Sequence, residues 1–385
     1  MIRHLKILDY ALSSLARRKY KNATIILVYS FTVSVLASIL FLTHALKTEA
    51  EKILTEAPDL VIQRTFAGRH DLISKEYVEV IKSIRGIKNV KPRYWGYYYD
   101  SFTESNYTML GLASKLAKLE MTEGRMPVAP GECVIGEGVS KARLTGIGED
   151  LILVDSQGMG IVFEVVGKFN ALSELLTNDL IVLSDNDVID FFGFPEGKST
   201  DIAVEVFNEN EIQNIAGKIK KIFPDTRPIT KQEIIRTYNG VFNWRSGMML
   251  TIFSAALASF IILAWDKATG LSGEEKHEIG ILKSIGWDTA DILELKFWEG
   301  LVISFTAFLL GITVAFVHVF YLEATILASV MKGWSVLFPR FQLIPYVNIY
   351  QIFVIAFLTV VPYVASTIIP SWKAAITDPD SVMRG

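Results

Sequence analysis

The chain predicts an α+β membrane protein in which four helical spans flank one large polar domain. Apolar residues gather in four stretches, at about 24–42, 248–265, 301–317 and 350–369. Each falls within the roughly 17–25 residues that carry a helix across a hydrocarbon core of about 30 Å. The 47–244 segment between the first two stretches has an ordinary globular composition. Basic residues add the orientation: Arg17, Arg18, Lys19 and Lys21 stand directly before the first span, and such a cluster favours the cytoplasmic side.

Four crossings then define the whole layout. Residues 1–22 form a cytoplasmic amphipathic helix, 23–46 the first transmembrane helix and 47–244 an extracytoplasmic domain. Residues 245–266 cross back, 267–296 form a cytoplasmic loop, and 297–320 cross again. An outer loop at 321–348, a fourth span at 349–370 and a cytoplasmic tail at 371–385 complete the chain. This is a multi-pass protein of the cytoplasmic (inner) membrane with both termini inside. Lys267, Lys276, Lys283 and Lys296 lie on the inner side, against only Lys332 and Arg340 in the outer loop. The first span is expected to be an uncleaved anchor, because it exceeds a signal-peptide core of about 7–15 residues and no small-x-small site follows.

Within the polar domain, 59–64 reads as a strand around Leu60, Val61 and Ile62. Ser74 then reads as the cap of a helix over 75–85, since Tyr77, Val80, Ile81 and Ile84 recur at helical spacing. Strands follow at 93–99 and 107–111. The part at about 120–180 is β-rich, with strands at 132–135, 151–155 and 161–169 and a turn at Ser156-Gln157-Gly158. A strand at 201–207 and a helix capped by Asn208, with Ile212, Ile215, Ile219 and Ile222 on one face, close the domain. Thr230 and Glu233 form a capping box. Either a loop or a nearly continuous helix joins that box to the second span; the capping signal favours the helix.

The cytoplasmic loop has a capping box at Ser272 and Glu275. Ile279, Leu282 and Ile285 then share a helical face, and Gly286 is a C-terminal stop. Asp288, with Asp291 three residues on, caps the next helix. Such a short amphipathic helix either lies passively in the membrane interface or forms a socket that another protein grips.

The run Glu275-Lys276-His277-Glu278-Ile279-Gly280-Ile281-Leu282-Lys283-Ser284-Ile285-Gly286-Trp287 resembles the E-x-x-x-E-I-G-I-L-[KR]-[AS]-[LI]-G segment of MacB/FtsX-type ABC transporter permeases. Leu15-Ala16-Arg17-Arg18-Lys19 is similar to the helix that leads into the family's first span. Pro370-Ser371-Trp372-Lys373-Ala374-Ala375-Ile376-Thr377-Asp378-Pro379 is similar to its C-terminal motif. Gly124-Arg125 and Val165-Val166-Gly167 match a G-R and a V-V-G of the outer domain. The likeness is to the branch with MacB, LolC and LolE, without a fused ATPase domain.

That resemblance implies a porter-like α/β outer domain with a β-rich insertion. It implies a coupling helix that contacts a cytoplasmic ABC ATPase, here a separate chain, through Glu278, Ile279, Gly280, Ile281, Leu282, Lys283 and Ile285. It implies a second permease chain, as a homodimer or related heterodimer, and an extracytoplasmic carrier, adaptor or outer-membrane channel as further partners. The chain is then not an enzyme by itself. It transmits ATPase motion to the outer domain (mechanotransmission) to act on a lipoprotein, peptide or amphipathic substrate. The alternative is an FtsX-like regulator that activates cell-wall hydrolases.

Several signals fail, and they agree with that reading. Gly193-Phe194-Pro195-Glu196-Gly197-Lys198-Ser199-Thr200 has one residue too few between its glycines for a phosphate loop. The five histidines are scattered and form no metal-ligand set. No catalytic residue, cofactor site or metal site is expected. A net charge of −3 gives no reason to expect a nucleic-acid partner. One cysteine, Cys133, leaves no internal disulfide. No Asp, Glu, Lys or Arg sits mid-span, which argues against an ion-coupled carrier. Small residues Ala255, Ala256, Ala258 and Ser259 suit close helix approach, and Pro362 is expected to kink the fourth span. Trp95, Tyr97, Tyr98 and Tyr99 either grip a hydrophobic ligand or form a buried sheet face, the commoner outcome.

Overall fold

A computed structural model describes residues 2–55, 57–114, 121–169, 177–269, 273–327, 343 and 345–376. The chain opens with helices α1 (Ile2–Arg17) and α2 (Lys19–Thr55). Strands β1 (Leu60–Phe66), β2 (Arg69–Asp71) and β3 (Ile73–Ser74), helix α3 (Glu76–Lys82) and strand β4 (Ile87–Arg93) follow. Next come β5 (Trp95–Asp100), β6 (Ser105–Gly111), β7 (Met121–Gly124), β8 (Glu132–Ile135) and α4 (Glu137–Arg143). Then follow β9 (Asp150–Val154), β10 (Gly160–Phe169), β11 (Leu180–Leu183), α5 (Asp185–Phe192), β12 (Lys198–Ser199) and β13 (Asp201–Val206). Helix α6 (Ile212–Ile222), strand β14 (Thr226–Thr230) and helices α7 (Lys231–Thr269), α8 (Gly273–Ser284), α9 (Thr289–Phe320) and α10 (Ile349–Ile376) end the series. The chain separates into two compact units, a helical one and an α/β one centred on residues 46–242.

The α/β unit contains two main sheets. The first has the order β14-β1-β13-β4 with every pair antiparallel. With α3 between β1 and β4, and α6 between β13 and β14, this is a split β-α-β, the ferredoxin-like arrangement. Its core joins Leu60, Ile62, Ile202 and Val204 to Ile81 of α3 and to Ile212, Ile215 and Ile219 of α6. Ile222 leaves that face and is exposed. The second sheet, β5-β6-β11-β8-β10-β7, with β9 on β10, is inserted between β4 and β13. It begins at Trp95, earlier than composition suggested, because β5 pairs with β6, and β6 with β11, rather than with β4. Its largest core holds Tyr107, Phe163, Phe191, Ile181 and the buried Cys133. Burial pushes that thiol up to about 12, which keeps it protonated and inert.

Local expectations met mixed outcomes. Ser74 ends β3, paired with Lys198, so α3 starts at Glu76, whose N–H reaches Ser74 Oγ at 3.4 Å. The helix also stops early, at Lys82, ahead of Gly86 in a left-handed conformation. Asn208 caps a short 3-10 turn, not α6 itself. Thr230 Oγ1 does accept the Glu233 N–H at 3.1 Å, and α7 then runs unbroken for 39 residues. Gly240 and Gly247 lie within it, and a Cβ at either would meet nothing within 4 Å.

Among the described residues, three helices are long and apolar enough to cross a membrane: Lys19–Glu51 within α2, Thr289–Phe320, and Ile349–Ile369 within α10. The span expected at 248–265 lies inside α7, and many of its side chains lie outside the described residues, including Ala255, Ala256 and Ser259. Helix α9 passes both apolar neighbours closely. A Cβ on Gly311 would stand 2.7 Å from Val33 Cβ of α2, and one on Gly300 would stand 2.6 Å from Thr367 Oγ1 of α10. Tyr29 of α2 donates its hydroxyl to the Thr359 carbonyl of α10. Helix α10 stays continuous through Pro362.

Candidate functional site: the α1–α8–α9 cluster

The sequence singles out α8, and the structure gives it a two-sided environment inside the helical unit. Its inner face is apolar. Ile279 and Leu282 are only 3% and 4% exposed. Leu282 packs with Ile7 and Ala11 of α1 and Leu295 of α9, ringed by Tyr10, Trp287 and Trp298. Gly280 is also buried. Burying Ile279 and Leu282 stabilises the placement of α8 by about 1.5–3 kcal/mol per side chain.

Charges then fix the register. Glu278 is half-buried and accepts Arg18 Nη2 at 2.7 Å, Arg17 Nη2 at 3.2 Å and Tyr10 Oη at 3.4 Å. The Arg17 guanidinium also lies 5.4 Å over the Tyr10 ring. Partly exposed ion pairs contribute only about 0–1 kcal/mol each, so the apolar contacts hold α8 and Glu278 orients it. At the other end, Gly286 adopts φ +97°. Its N–H reaches the Lys283 carbonyl at 3.0 Å and the Trp287 N–H reaches Leu282 at 3.0 Å, the Schellman stop that glycine permits.

Asp288 and Asp291 form the expected capping box on α9. Asp291 also accepts Arg3 Nη2 at 2.5 Å, and Glu294 pairs with His4 Nδ1 at 2.7 Å. The cap expected at Ser272 lies outside the described residues.

The outer side of α8 is different. His277, Ile281, Ser284 and Ile285 are exposed, Ile281 at 45% and Ile285 at 68%. Lys283 is half-buried. The expected face of Ile279, Leu282 and Ile285 is therefore split. The first two are consumed by the chain's own core, and Ile285 joins Ile281 outside. Sequence reasoning missed the contribution of α1: Arg17 and Arg18 were read as topology markers, yet they also hold Glu278. Their proximity in space to an acid 260 residues later has no local signal.

The two outer-domain motifs also come together. Gly124 pairs with Gly167 across β7 and β10. At φ +81°, a Cβ on Gly124 would stand 2.2 Å from the Val166 carbonyl oxygen. Arg125 beside it grips Glu132 through both Nη atoms, and this contact, with the Val128 and Ala129 N–H groups, lowers the Glu132 carboxyl to about 2. These residues brace the inserted sheet. The near-miss phosphate loop is a turn: Gly193 ends α5 and Lys198–Ser199 is β12. Among the described residues no His, Cys, Asp and Glu cluster could hold a metal ion.

Two family models match the chain in order. The family model of the MacB-like periplasmic core domain matches residues 23–222, and that of the FtsX-like permease C-terminal region matches 248–379. The uncharacterized ABC transporter permease MJ1507 of Methanocaldococcus jannaschii is 26% identical over 275 residues, 63% of this chain. The chain spans 66% of that relative's length. The periplasmic region of MacB from Actinobacillus actinomycetemcomitans covers 50% of this chain and 97% of its own length, at 16% identity and a TM-score of 0.36. The extracellular domain of the noncanonic ABC-type transporter YknZ from Gram-positive bacteria covers 44% and 99%, at 13% identity and a TM-score of 0.33. With its two halves matched in order by the periplasmic core and the permease C-terminal region, the chain belongs to the MacB/FtsX-type ABC transporter permeases.

Proposed function

We propose that this permease transmits the motion of a separate cytoplasmic ATPase to its outer domain, with α8 as the coupling helix. Four spans, the fourth supplied by α7, put α8 and both termini in the cytoplasm and the α/β unit outside, in the cytoplasmic membrane. The work is done on a lipoprotein, peptide or amphipathic substrate outside the bilayer, by two permease chains. Reporters fused after Gly124 and Gly273 test the topology: outside and inside, respectively.

One observation carries the docking proposal. Helix α8 is clamped from behind and leaves His277, Ile281 and Ile285 in one exposed stripe. An amphipathic helix recognises a groove through one exposed apolar stripe, and Ile281 and Ile285, four residues apart, supply it. Leu282 supports the helix and does not touch the ATPase. The test compares nucleotide hydrolysis that co-purifies with the full chain from native membranes. Ile281→Asp with Ile285→Asp loses the hydrolysis at an unchanged chain level, whereas Leu282→Asp lowers the level of the chain itself. Full hydrolysis in the double variant would overturn the docking surface. No hydrolysis with the wild-type chain would overturn the reading as a whole.

A further inference from the structure

Strand β5 ends the inserted sheet and, among the described residues, pairs only with β6. Tyr94 is opposite Gly111 and accepts its N–H at 2.8 Å. Main-chain direction alternates along an antiparallel strand, so Gly96 and Tyr98 also face β6, while Trp95, Tyr97 and Tyr99 face outward. Thr200 Oγ1 closes the first of these positions, accepting the Trp95 N–H at 3.0 Å and donating to the Trp95 carbonyl at 2.7 Å. Among the described residues, the outward N–H and C=O groups of Tyr97 and Tyr99 have no partner.

The open window is thus two residues wide, centred on Tyr98. Its side chains add to the exposure: Tyr97 is 70% and Tyr99 58% accessible, while Tyr98 packs on the core. Sheet edges are ordinarily blunted by lysine, proline, a bulge or a cover. The sequence Trp95-Gly96-Tyr97-Tyr98-Tyr99-Asp100 has no lysine or proline, and its register with β6 has no shift. Its one charge, Asp100, is buried against Arg143 at 3.0 Å.

We propose that β5 pairs antiparallel with β5 of a second copy of this chain, about a two-fold axis at Tyr98, joining two inserted sheets into one. Tyr97 then lies opposite Tyr99 of the partner subunit. In that register each residue exchanges its N–H and C=O with its partner, so all four open groups are satisfied. An isologous contact of this kind needs a self-complementary patch. A window of two identical residues about a central one meets that need, with no charge to repel its copy. Tethering both chains in one membrane raises their effective concentration, so a short contact suffices. The inference rests on the proposed function only in requiring two permease chains in one complex.

Two differently tagged full-length chains, one Tyr97→Cys and one Tyr99→Cys, are co-expressed and oxidised with copper phenanthroline in their membranes. Opposed Cα atoms about 5.5 Å apart lie within disulfide reach. Both side chains are exposed, so the core is untouched, and the buried, protonated Cys133 does not compete. The expected result is a disulfide dimer carrying both tags, about tenfold more abundant than with either variant alone, because like positions lie beyond bonding distance. No mixed dimer overturns the proposal. Equal cross-linking by single variants overturns the register, and cross-linking to another protein shows a foreign strand on the edge. Co-purifying ATP hydrolysis, measured on the same membranes, separates the outcomes. Its retention without the cross-link sinks edge pairing alone.

Discussion

The ferredoxin-like sheet and the inserted sheet belong to one unit, yet their edges are chemically unlike. On the first sheet, β4 carries Lys88, Lys91 and Pro92, and its register with β13 shifts between Glu205 and Val206. The opposite edge, β14, carries Arg227 and Pro228. A proline removes a ladder donor, and a lysine resists burial beside a foreign strand. The inserted sheet has none of these devices on β5. One sheet is finished as a monomer surface, and the other presents an unfinished ladder. An edge is therefore informative for what it lacks as well as for what it carries.

The two sheets meet at one buried ion pair, where the comparison can be broken most forcefully. Arg93, at the end of β4, binds Asp201 at the start of β13 through Nε and Nη2 at 2.5 and 2.6 Å. Trp95 at the start of β5 donates Nε1–H to the same carboxylate at 3.0 Å. Asp201→Ala leaves the guanidinium buried without a counter-ion, a loss of about 3–5 kcal/mol. Hydrogen exchange on the full chain should show both sheets losing protection. Loss in only one would mean that the sheets fold independently of their junction.

A smaller, one-sided effect follows from Gly124→Val. The left-handed backbone and the Val166 carbonyl oppose any side chain there, at about 1–3 kcal/mol. Protection should fall in β7 and β10 and hold in β1 and β13. Equal loss in both sheets would contradict their separate cores.

The smallest effect is a pH dependence. Glu132 has a folded pKa lowered to about 2, chiefly by the Arg125 hydrogen bonds. Its contribution is therefore full above the ordinary carboxylate range and is lost as pH falls through about 2. The difference in unfolding midpoint between wild type and Glu132→Gln should shrink steadily from about pH 5 to pH 2. A difference constant over that window would show that the carboxylate charge contributes nothing.

Much of the fold was legible because alternation and caps are local signals. Strand β8 and the long β10 followed from their β-branched runs, and α7 from the box at Thr230 and Glu233. Strand β4 escapes the sequence because Lys88, Lys91 and Pro92, the residues that guard its edge, also hide its strand character. Helix α5 was missed although Ser184, whose Oγ accepts the Asp187 N–H at 3.1 Å, marks its start. For the site, the helix and its stop at Gly286 could be read, but its orientation could not. Ile279, Ile281, Leu282 and Ile285 fall within one arc of about 160° at 3.6 residues per turn, so periodicity reads them as a single face and cannot say which are inward. That is decided by Ile7, Ala11 and Arg18, which lie more than 250 residues away in sequence.

Helix α7 has one more consequence, which concerns stiffness. At 1.5 Å per residue its 39 residues measure roughly 58 Å along the helix axis; in the proposed mechanism, a rotation of about 5° over that length amounts to about 5 Å of displacement. Such a lever delivers displacement only if it does not flex. Gly240 and Gly247 fill no tight contact and hold no unusual backbone angle; each weakens the helix by about 1 kcal/mol relative to alanine. Each is a point of local compliance in α7, and under the proposed mechanism replacing both with alanine raises the share of an angular input that the helix passes on.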